Sequence, residues 1–318
     1  MHEIRSATVV GSGVMGPGIA TTLALGGVKT TILARSEASA SKALETARRH
    51  LLLLEQNGLV TPAQSSRAAA LVDASADFTA SLTGRDLVIE SIPEDMQLKQ
   101  DFFAQIEPIV GPNCWIASNT SGLSITVMSS KTLHPERFCT THFWNPPHLM
   151  PLVEIVRADH TTDEVIVGLK DLLERCGKVP VVVRKDRPGQ LGNRLQMAMV
   201  REAVNIVAEG IADVADVDRA ASLGFGLRLP VYGIFEHQDL VGRDAYKVCD
   251  YVAKDLYNEP GAPPLYREMF EKGNLGTGPG KGFYDWTKKD ADQVKAHRDH
   301  WLREFLKGPF GQSIRPRD

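Results

Sequence analysis

The stretch that decides the fold is residues 7–25, Ala-Thr-Val-Val-Gly-Ser-Gly-Val-Met-Gly-Pro-Gly-Ile-Ala-Thr-Thr-Leu-Ala-Leu. Its apolar start, Ala7–Val10, predicts a buried β-strand, and a helix is predicted from Met15 to about Gly26. Between them Gly11-Ser12-Gly13-Val14-Met15-Gly16 matches the pattern G-x-G-x-x-G. The first glycine allows a tight turn, the second lets a phosphate approach the backbone, and the third lets helix and strand pack closely. The stretch therefore predicts a Rossmann-type unit that binds the pyrophosphate of a dinucleotide.

The end of the second predicted strand, residues 30–34, indicates which dinucleotide is bound. Units that bind NAD usually carry Asp or Glu there, roughly 20 residues after the glycines, to hold the ribose hydroxyls. Here Ala34 replaces the carboxylate and is followed by Arg35 and Ser36. A guanidinium pairs with phosphate through two hydrogen bonds, so these three residues favour the 2′-phosphate of NADP(H). NAD(H) is the alternative, with Glu37 contacting the ribose and Arg35 on the surface.

Short apolar runs alternate with helical patterns through the first part of the chain. Further strands are predicted at 86–90, 114–118, 138–142, 152–157 and 179–184, which indicates a doubly wound α/β fold with a mostly parallel sheet. From Pro188 the pattern is helical only, with helices predicted at 193–208, 213–223, 239–257 and 291–307. We therefore predict a Rossmann domain over residues 1–186 and an all-helical domain over residues 187–318.

Composition excludes several classes of partner. The 318 residues carry a net charge of −3, with a pI near 6.3, and show no long apolar run. Neither a nucleic-acid partner nor a membrane partner is expected. The start of the chain has no signal-peptide pattern, which predicts a cytoplasmic enzyme. The cysteines form no metal-binding pattern, so we predict no metal site and expect buried free thiols at Cys114, Cys139, Cys176 and Cys249.

A carboxylate lies inside an apolar strand at Leu152-Val153-Glu154-Ile155-Val156. An unpaired charge there would be costly, so Glu154 needs a partner, and His142 at the end of the neighbouring strand is a candidate. An imidazole suits a base that takes a hydroxyl proton as hydride leaves, and a carboxylate fixes its tautomer. Sequence chemistry alone does not choose among the other nearby histidines, which are His134, His148 and His160.

Short motifs are distributed over nearly the whole chain. Besides the glycine loop they are Pro93-Glu94 with Lys99, Ser118–Ser121, His142–Pro146, Leu152–Val156, Pro188-Gly189 with Asn193-Arg194, and Gly280–Tyr284. Together they resemble the 3-hydroxyacyl-CoA dehydrogenase family. The resemblance implies that His142 is the catalytic base, that Glu154 pairs with it, and that Ser121 and Asn193 hydrogen-bond the substrate oxygen. It also implies that the nicotinamide half of the cofactor is lined by Glu94, Lys99, Asn119 and Asn145.

The resemblance further implies hydride transfer between a 3-hydroxyacyl-CoA and NAD(P) in fatty acid metabolism, by a homodimer formed through the helical domain. Relatives that use coenzyme A carry lysines on the helix after the second strand, whereas residues 48–58 here hold two arginines and a leucine run. The segment 142–154 is also similar to branches that act on gulonate, carnitine or a pyridine carboxylate. The alternative substrate is therefore a free hydroxy acid or small alcohol, in a pocket lined by Trp144 and His148; Trp144 is equally well explained as a core residue.

Overall fold

The computed structural model describes residues 3–314. Contacts divide the chain into two units. One comprises the residues up to Asn193 together with those from Ala296 onward, and the other is Arg194–Lys295. The division at residue 187 that the sequence suggests stays a prediction. No helix in the described part of the chain is long and apolar enough to cross a membrane.

The first unit is built on one sheet of eight strands in the order β3-β2-β1-β4-β5-β6-β7-β8. Neighbouring strands are parallel except β6 and β7, which pair antiparallel. The strand order reverses between β1 and β4, so the crevice at their carboxyl ends is where such sheets bind ligands. The strands are β1 (Ser6–Val10), β2 (Lys29–Leu33), β3 (Val72–Ser75), β4 (Leu87–Glu90), β5 (Trp115–Ser118), β6 (Phe138–Phe143), β7 (Leu152–Arg157) and β8 (Val179–Val183).

Helices cover both faces of this sheet. One apolar cluster packs Leu23 and Leu172 against one face, and a second packs Phe103 and Ile106 against the other. Both faces are buried because the strands are near-continuous apolar runs, as parallel sheets require. The helices between the strands are α1 (Gly16–Leu25), α2 (Glu37–Gln56), α3 (Pro62–Leu71), α4 (Phe78–Leu82), α5 (Met96–Val110), α6 (Ile125–Met128) and α7 (Asp163–Arg175), with short 3₁₀ turns at Ser129–Lys131 and Pro135–Arg137.

In the described residues after β8, the regular elements are helices joined by turns, and the predicted fold class is confirmed. One predicted helix, 239–257, is wrong in its extent, because Gly242 at φ 69° ends one helix and precedes the next. A π-helical turn occupies Ala221–Phe225. The remaining helices are α8 (Gly192–Ala208), α9 (Val214–Ala220), α10 (Gly226–Arg228), α11 (Ile234–Val241), α12 (Arg243–Val252), α13 (Pro264–Glu271), α14 (Ala291–Lys307) and α15 (Pro309–Ser313).

Candidate active site

The glycine loop has the geometry that a dinucleotide needs. Gly11 has φ 122°, and a Cβ there would lie 2.5 Å from the Ser91 carbonyl oxygen; a Cβ on Gly16 would lie 1.8 Å from the Gly11 oxygen. Gly13 instead faces open space, with no atom within 4 Å of its Cβ position. No described side chain caps α1, so its first N–H groups are free to bind an anion. The loop therefore fits a pyrophosphate, with Ser12 half-buried, Val14 exposed and Met15 packed against the core.

The end of β2 presents an exposed cation, Arg35, that makes no contact with a described acid. Ala34 is buried, whereas Arg35 is exposed and makes no hydrogen bond or ion pair with any other residue that the structure describes. The Ser36 hydroxyl accepts the Ser39 N–H at 3.3 Å and caps α2. Glu37 accepts the Ala76 N–H at 3.1 Å through Oε1. Ser36 and Glu37 thus already have partners, and Arg35 has none.

His142 and Glu154 are cross-strand partners. They lie directly opposite each other in the antiparallel register of β6 and β7, which brings their side chains to the same face. His142 Nδ1 lies 2.7 Å from Glu154 Oε2. His142 is 5% exposed and Glu154 is fully buried. The structure therefore brings together the histidine and the carboxylate that the sequence paired.

Three further donors converge on Glu154. Its Oε1 accepts the backbone N–H groups of Leu191 at 2.9 Å and Gly192 at 2.8 Å, and its Oε2 accepts Trp144 Nε1–H at 3.2 Å. Burial raises the pKa of Glu154, but the hydrogen bonds from His142, Gly192 and Leu191 outweigh it, so the pKa lies below the ordinary value of 4.5. The carboxylate is thus held charged beside the imidazole.

Ser121 and Asn193 are in direct contact. Asn193 Nδ2 donates to the Ser121 carbonyl oxygen at 2.6 Å, although 72 residues separate them. The N–H of Ser121 donates to Glu94 Oε1 at 2.9 Å, and the Thr120 hydroxyl donates to the same oxygen. The backbone of Ser121 is therefore fixed on both sides, and the residue itself is exposed.

Lys99 is buried rather than on the surface of the site. Its side chain is 1% exposed, with Nζ 2.6 Å from Glu90 Oε1 and 3.5 Å from Glu94 Oε2. Glu90 did not figure among the predicted site residues. The signal was a carboxylate at the end of the apolar run Leu87–Glu90, the same pattern that singled out Glu154.

The two predicted asparagines have different environments. Asn119 joins three strand ends, because its Oδ1 accepts the Phe143 N–H at 2.8 Å and its Nδ2 donates to Ser91 Oγ at 3.2 Å. Asn145 is exposed. The proposed pairing of Trp144 with His148 in one pocket is not what the structure shows, since Trp144 contacts Glu154 while His148 stacks on His50 with ring centroids 3.8 Å apart.

No group of three or more His, Cys, Asp or Glu side chains among residues 3–314 is arranged to hold a metal ion. Three of the cysteines are buried free thiols, as expected. Cys249 is a correction, because it is exposed. Burial raises the pKa of Cys114 to about 12, so this thiol is no nucleophile at neutral pH.

The carboxyl ends of β1, β4, β5 and β6 therefore share one edge of the sheet, which carries an open phosphate loop and a buried histidine–carboxylate pair. A dinucleotide-binding fold with a buried histidine–carboxylate pair at this edge is the arrangement expected of a nicotinamide-dependent dehydrogenase. A model of the 3-hydroxyacyl-CoA dehydrogenase NAD binding domain matches residues 6–187, and a model of the C-terminal domain of that family matches residues 189–286. The chain belongs to the 3-hydroxyacyl-CoA dehydrogenase family and is an NAD(P)-dependent dehydrogenase acting on a CH–OH group.

Two curated relatives differ in substrate. The chain is 34% identical to 5-formyl-3-hydroxy-2-methylpyridine 4-carboxylate 5-dehydrogenase of Mesorhizobium japonicum, over 96% of this chain and 99% of the relative. It is also 34% identical to 3-hydroxybutyryl-CoA dehydrogenase of Mycobacterium tuberculosis, over 89% of this chain and 99% of the relative.

Solved structures give the same two kinds of neighbour. The pyridine-carboxylate 5-dehydrogenase, described as an NAD+ dependent dismutase, has a TM-score of 0.88 at 32% identity and covers 95% of this chain and 97% of its own. The (S)-3-hydroxybutyryl-CoA dehydrogenase of Ralstonia eutropha has a TM-score of 0.75 at 34% identity and covers 90% of this chain and 100% of its own.

Proposed function

We propose that the protein oxidises a CH–OH group, or reduces the corresponding carbonyl, with His142 as the general base and Glu154 as the carboxylate that orients it. The observation that carries this proposal is the buried 2.7 Å contact between His142 Nδ1 and Glu154 Oε2. The lowered pKa keeps Glu154 ionised, and an ionised carboxylate can only accept hydrogen bonds. His142 Nδ1 therefore carries the ring hydrogen, and His142 Nε2 keeps its lone pair. Nε2 then takes the hydroxyl proton, and Glu154 stabilises the imidazolium that forms.

The other predicted residues bind the reactants in this proposal. Ser121 and Asn193 hydrogen-bond the substrate oxygen, and the loop Gly11–Gly16 holds the pyrophosphate. A bound nicotinamide would supply the hydride acceptor for oxidation or the hydride donor for reduction. Glu94, Asn119 and Asn145 line its half of the cofactor site, whereas the buried Lys99 acts there through Glu94.

We propose that Arg35 gives the enzyme a preference for NADP(H) over NAD(H). Its guanidinium is exposed at the end of β2, and Ala34 stands where a ribose-binding carboxylate would be. Glu37, the alternative ribose ligand, is engaged by the Ala76 N–H. An exposed fork of donors beside a helix N-terminus suits a 2′-phosphate.

Arg35→Ala is expected to raise the KM for NADPH about tenfold or more and to leave the KM for NADH within about twofold, because only NADPH loses a charge-assisted hydrogen bond. Initial rates with both cofactors measure this. Arg48→Ala, which removes an exposed arginine within α2, is the matched control and should change neither KM. An equal rise in both KM values for Arg35→Ala would refute the phosphate contact.

For the substrate we propose a free hydroxy acid or small alcohol without coenzyme A. The exposed end of α2 offers only Arg48 and Arg49 before the exposed Leu52 and Leu53, which is little positive charge for a ligand with several phosphates. The similarity to the pyridine-carboxylate dehydrogenase also extends over more of the chain than that to the acyl-CoA enzyme. A 3-hydroxyacyl-CoA of fatty acid metabolism is the second candidate, favoured by the family and by the 3-hydroxybutyryl-CoA relatives.

The change in nicotinamide absorbance decides between these substrates. Acetoacetyl-CoA, which carries a ketone, is tested with NADPH and NADH. In parallel, gulonate, carnitine and a pyridine carboxylate that carries a CH–OH group are tested as free compounds with NADP+ and NAD+. We expect turnover with a free compound and little or none with acetoacetyl-CoA. Turnover of acetoacetyl-CoA with a KM within about 1 μM to 1 mM would establish an acyl-CoA enzyme instead.

We propose that the helical domain, residues 187–318, binds substrate and forms a homodimer. Many large apolar side chains are exposed on the unit Arg194–Lys295, and exposed apolar surface is typical of association sites. Among them, with exposures of 73% to 84%, are Phe235, Leu240, Tyr246 and Tyr251.

A further inference from the structure

A buried carboxylate lies at the carboxyl end of β4, and the proposed function gives it no role. Glu90 is fully buried. Three donors reach its carboxylate at 2.6 Å: the backbone N–H of Ile92 and the ammonium of Lys99 on Oε1, and the Ser118 hydroxyl on Oε2. Ser118 ends β5, so Glu90 joins the ends of two neighbouring strands to the first turn of α5.

Lys99 links this buried carboxylate to one at the surface. Its ammonium also donates to the Ile92 carbonyl oxygen at 3.2 Å and lies 3.5 Å from Glu94 Oε2. The Glu94 side chain is 43% exposed, so it lies between the buried ion pair and the open site. In a buried setting with few competing waters, such contacts are stronger and more directional than on a free surface.

Glu94 connects Lys99 to the backbone of Ser121. Its Oε2 faces Lys99, while its Oε1 accepts the Ser121 N–H at 2.9 Å. The contacts therefore run without a break from Glu90 through Lys99 and Glu94 to the backbone of Ser121. Asn193 holds the other side of that residue through its carbonyl oxygen.

We propose that Glu90 is a positioning residue that sets the geometry of Ser121 through Lys99 and Glu94. This inference rests on the proposed function, in which Ser121 binds the substrate oxygen. Without Glu90, Lys99 keeps a single carboxylate partner, so its ammonium shifts toward Glu94 and competes with the Ser121 N–H for that carboxylate. Displacement of a substrate-binding group by about 1 Å costs on the order of 100-fold in rate.

Glu90→Gln tests the role, because the amide keeps the shape of the side chain and removes its charge. We expect kcat to fall about tenfold to 100-fold with the fastest wild-type substrate, and the Kd for NADPH and NADH to change less than threefold. Glu107→Gln is the matched control. Glu107, on α5, is also a buried carboxylate; it accepts the N–H groups of Leu133 and His134 and pairs with Arg137 at 3.4 Å. Glu107→Gln should lower the Tm by about as much as Glu90→Gln does, but leave kcat unchanged.

A double variant separates positioning from general damage. If Glu90 acts through Lys99, Glu90→Gln combined with Lys99→Met should be no slower than Lys99→Met alone. Lys99→Arg, which keeps a cation between the two carboxylates, should retain more activity than Lys99→Met and tests the same contacts if Glu90→Gln does not fold. A wild-type kcat for Glu90→Gln, or independent losses that multiply in the double variant, would overturn the proposal. Failure of the proposed function would be seen separately, as turnover retained in His142→Asn.

Discussion

His142→Asn is expected to lower kcat/KM about 1,000-fold or more and to leave the Kd of the cofactor within about twofold. The reason is that asparagine has no basic nitrogen to take the hydroxyl proton, and a positioned general base contributes roughly 10²- to 10⁴-fold. The imidazolium that Glu154 stabilises is lost as well, which places the expected effect toward the upper end. Steady-state kinetics give kcat/KM, and fluorescence titration with NADH or NADPH gives Kd.

His134→Asn is the matched control for this variant. His134 is an exposed histidine whose Nδ1 lies 3.3 Å from Glu136, so the same substitution there should leave kcat/KM unchanged. If His142→Asn lost cofactor binding and thermal stability together, His142 would be a structural residue of β6, and the general base would have to be sought elsewhere.

The sheet could largely be predicted from the sequence because its strands are apolar runs at regular intervals. Seven of the eight strands were predicted. The strand that was not, β3, has only four residues, Val72-Asp73-Ala74-Ser75, and lies at the sheet edge. A strand this short with one large apolar residue gives no period, so only its pairing with β2 defines it.

Helix α7 shows the opposite case. Its sequence carries a clear helical pattern, although no helix was predicted there. Its buried residues recur at helical spacing along 163–175, and Asp163 and Glu164 favour its first turn. The buried set is Val165, Ile166, Leu169, Leu172 and Leu173.

At the site, local chemistry indicated that Glu154 needs a partner, the family resemblance chose His142, and neither indicated the contacts made by the backbone. An unpaired Glu154 inside an apolar strand would be costly, and His142 lies on the neighbouring strand. The N–H groups of Leu191 and Gly192, which complete the carboxylate, come from a segment 37 and 38 residues later and carry no side-chain signal. Glycine at 192 is instead explained by space, because a Cβ there would lie 2.4 Å from the Trp144 ring.

Glu154→Gln is expected to lower kcat about 10³- to 10⁴-fold. Two backbone N–H groups hold the position of Oε1, so the glutamine oxygen must lie there and its NH₂ group must take the place of Oε2. That NH₂ group then faces His142 Nδ1, which must accept, so the ring hydrogen moves to Nε2 and the base can no longer take a proton. The same change of tautomer in a serine protease lowers kcat about 10⁴-fold. Glu164→Gln, on the exposed first turn of α7, is the matched control and should keep kcat.

The same substitution should change how stability depends on pH. Because the folded pKa of Glu154 lies below its ordinary value of 4.5, the carboxylate contributes stability above about pH 4.5, and this contribution is lost as the pH falls through the folded pKa. Glutamine does not titrate. The Tm of the wild type should therefore exceed that of Glu154→Gln most at pH 7, and the difference should narrow on acidification.

Thermal melts at pH 7 and about pH 4 test this, and a Tm difference that stayed constant would mean that the hydrogen bonds to Glu154 do not favour its charged form. Activity and acid stability would then have separate origins, whereas the contacts around Glu154 predict that one carboxylate supplies both.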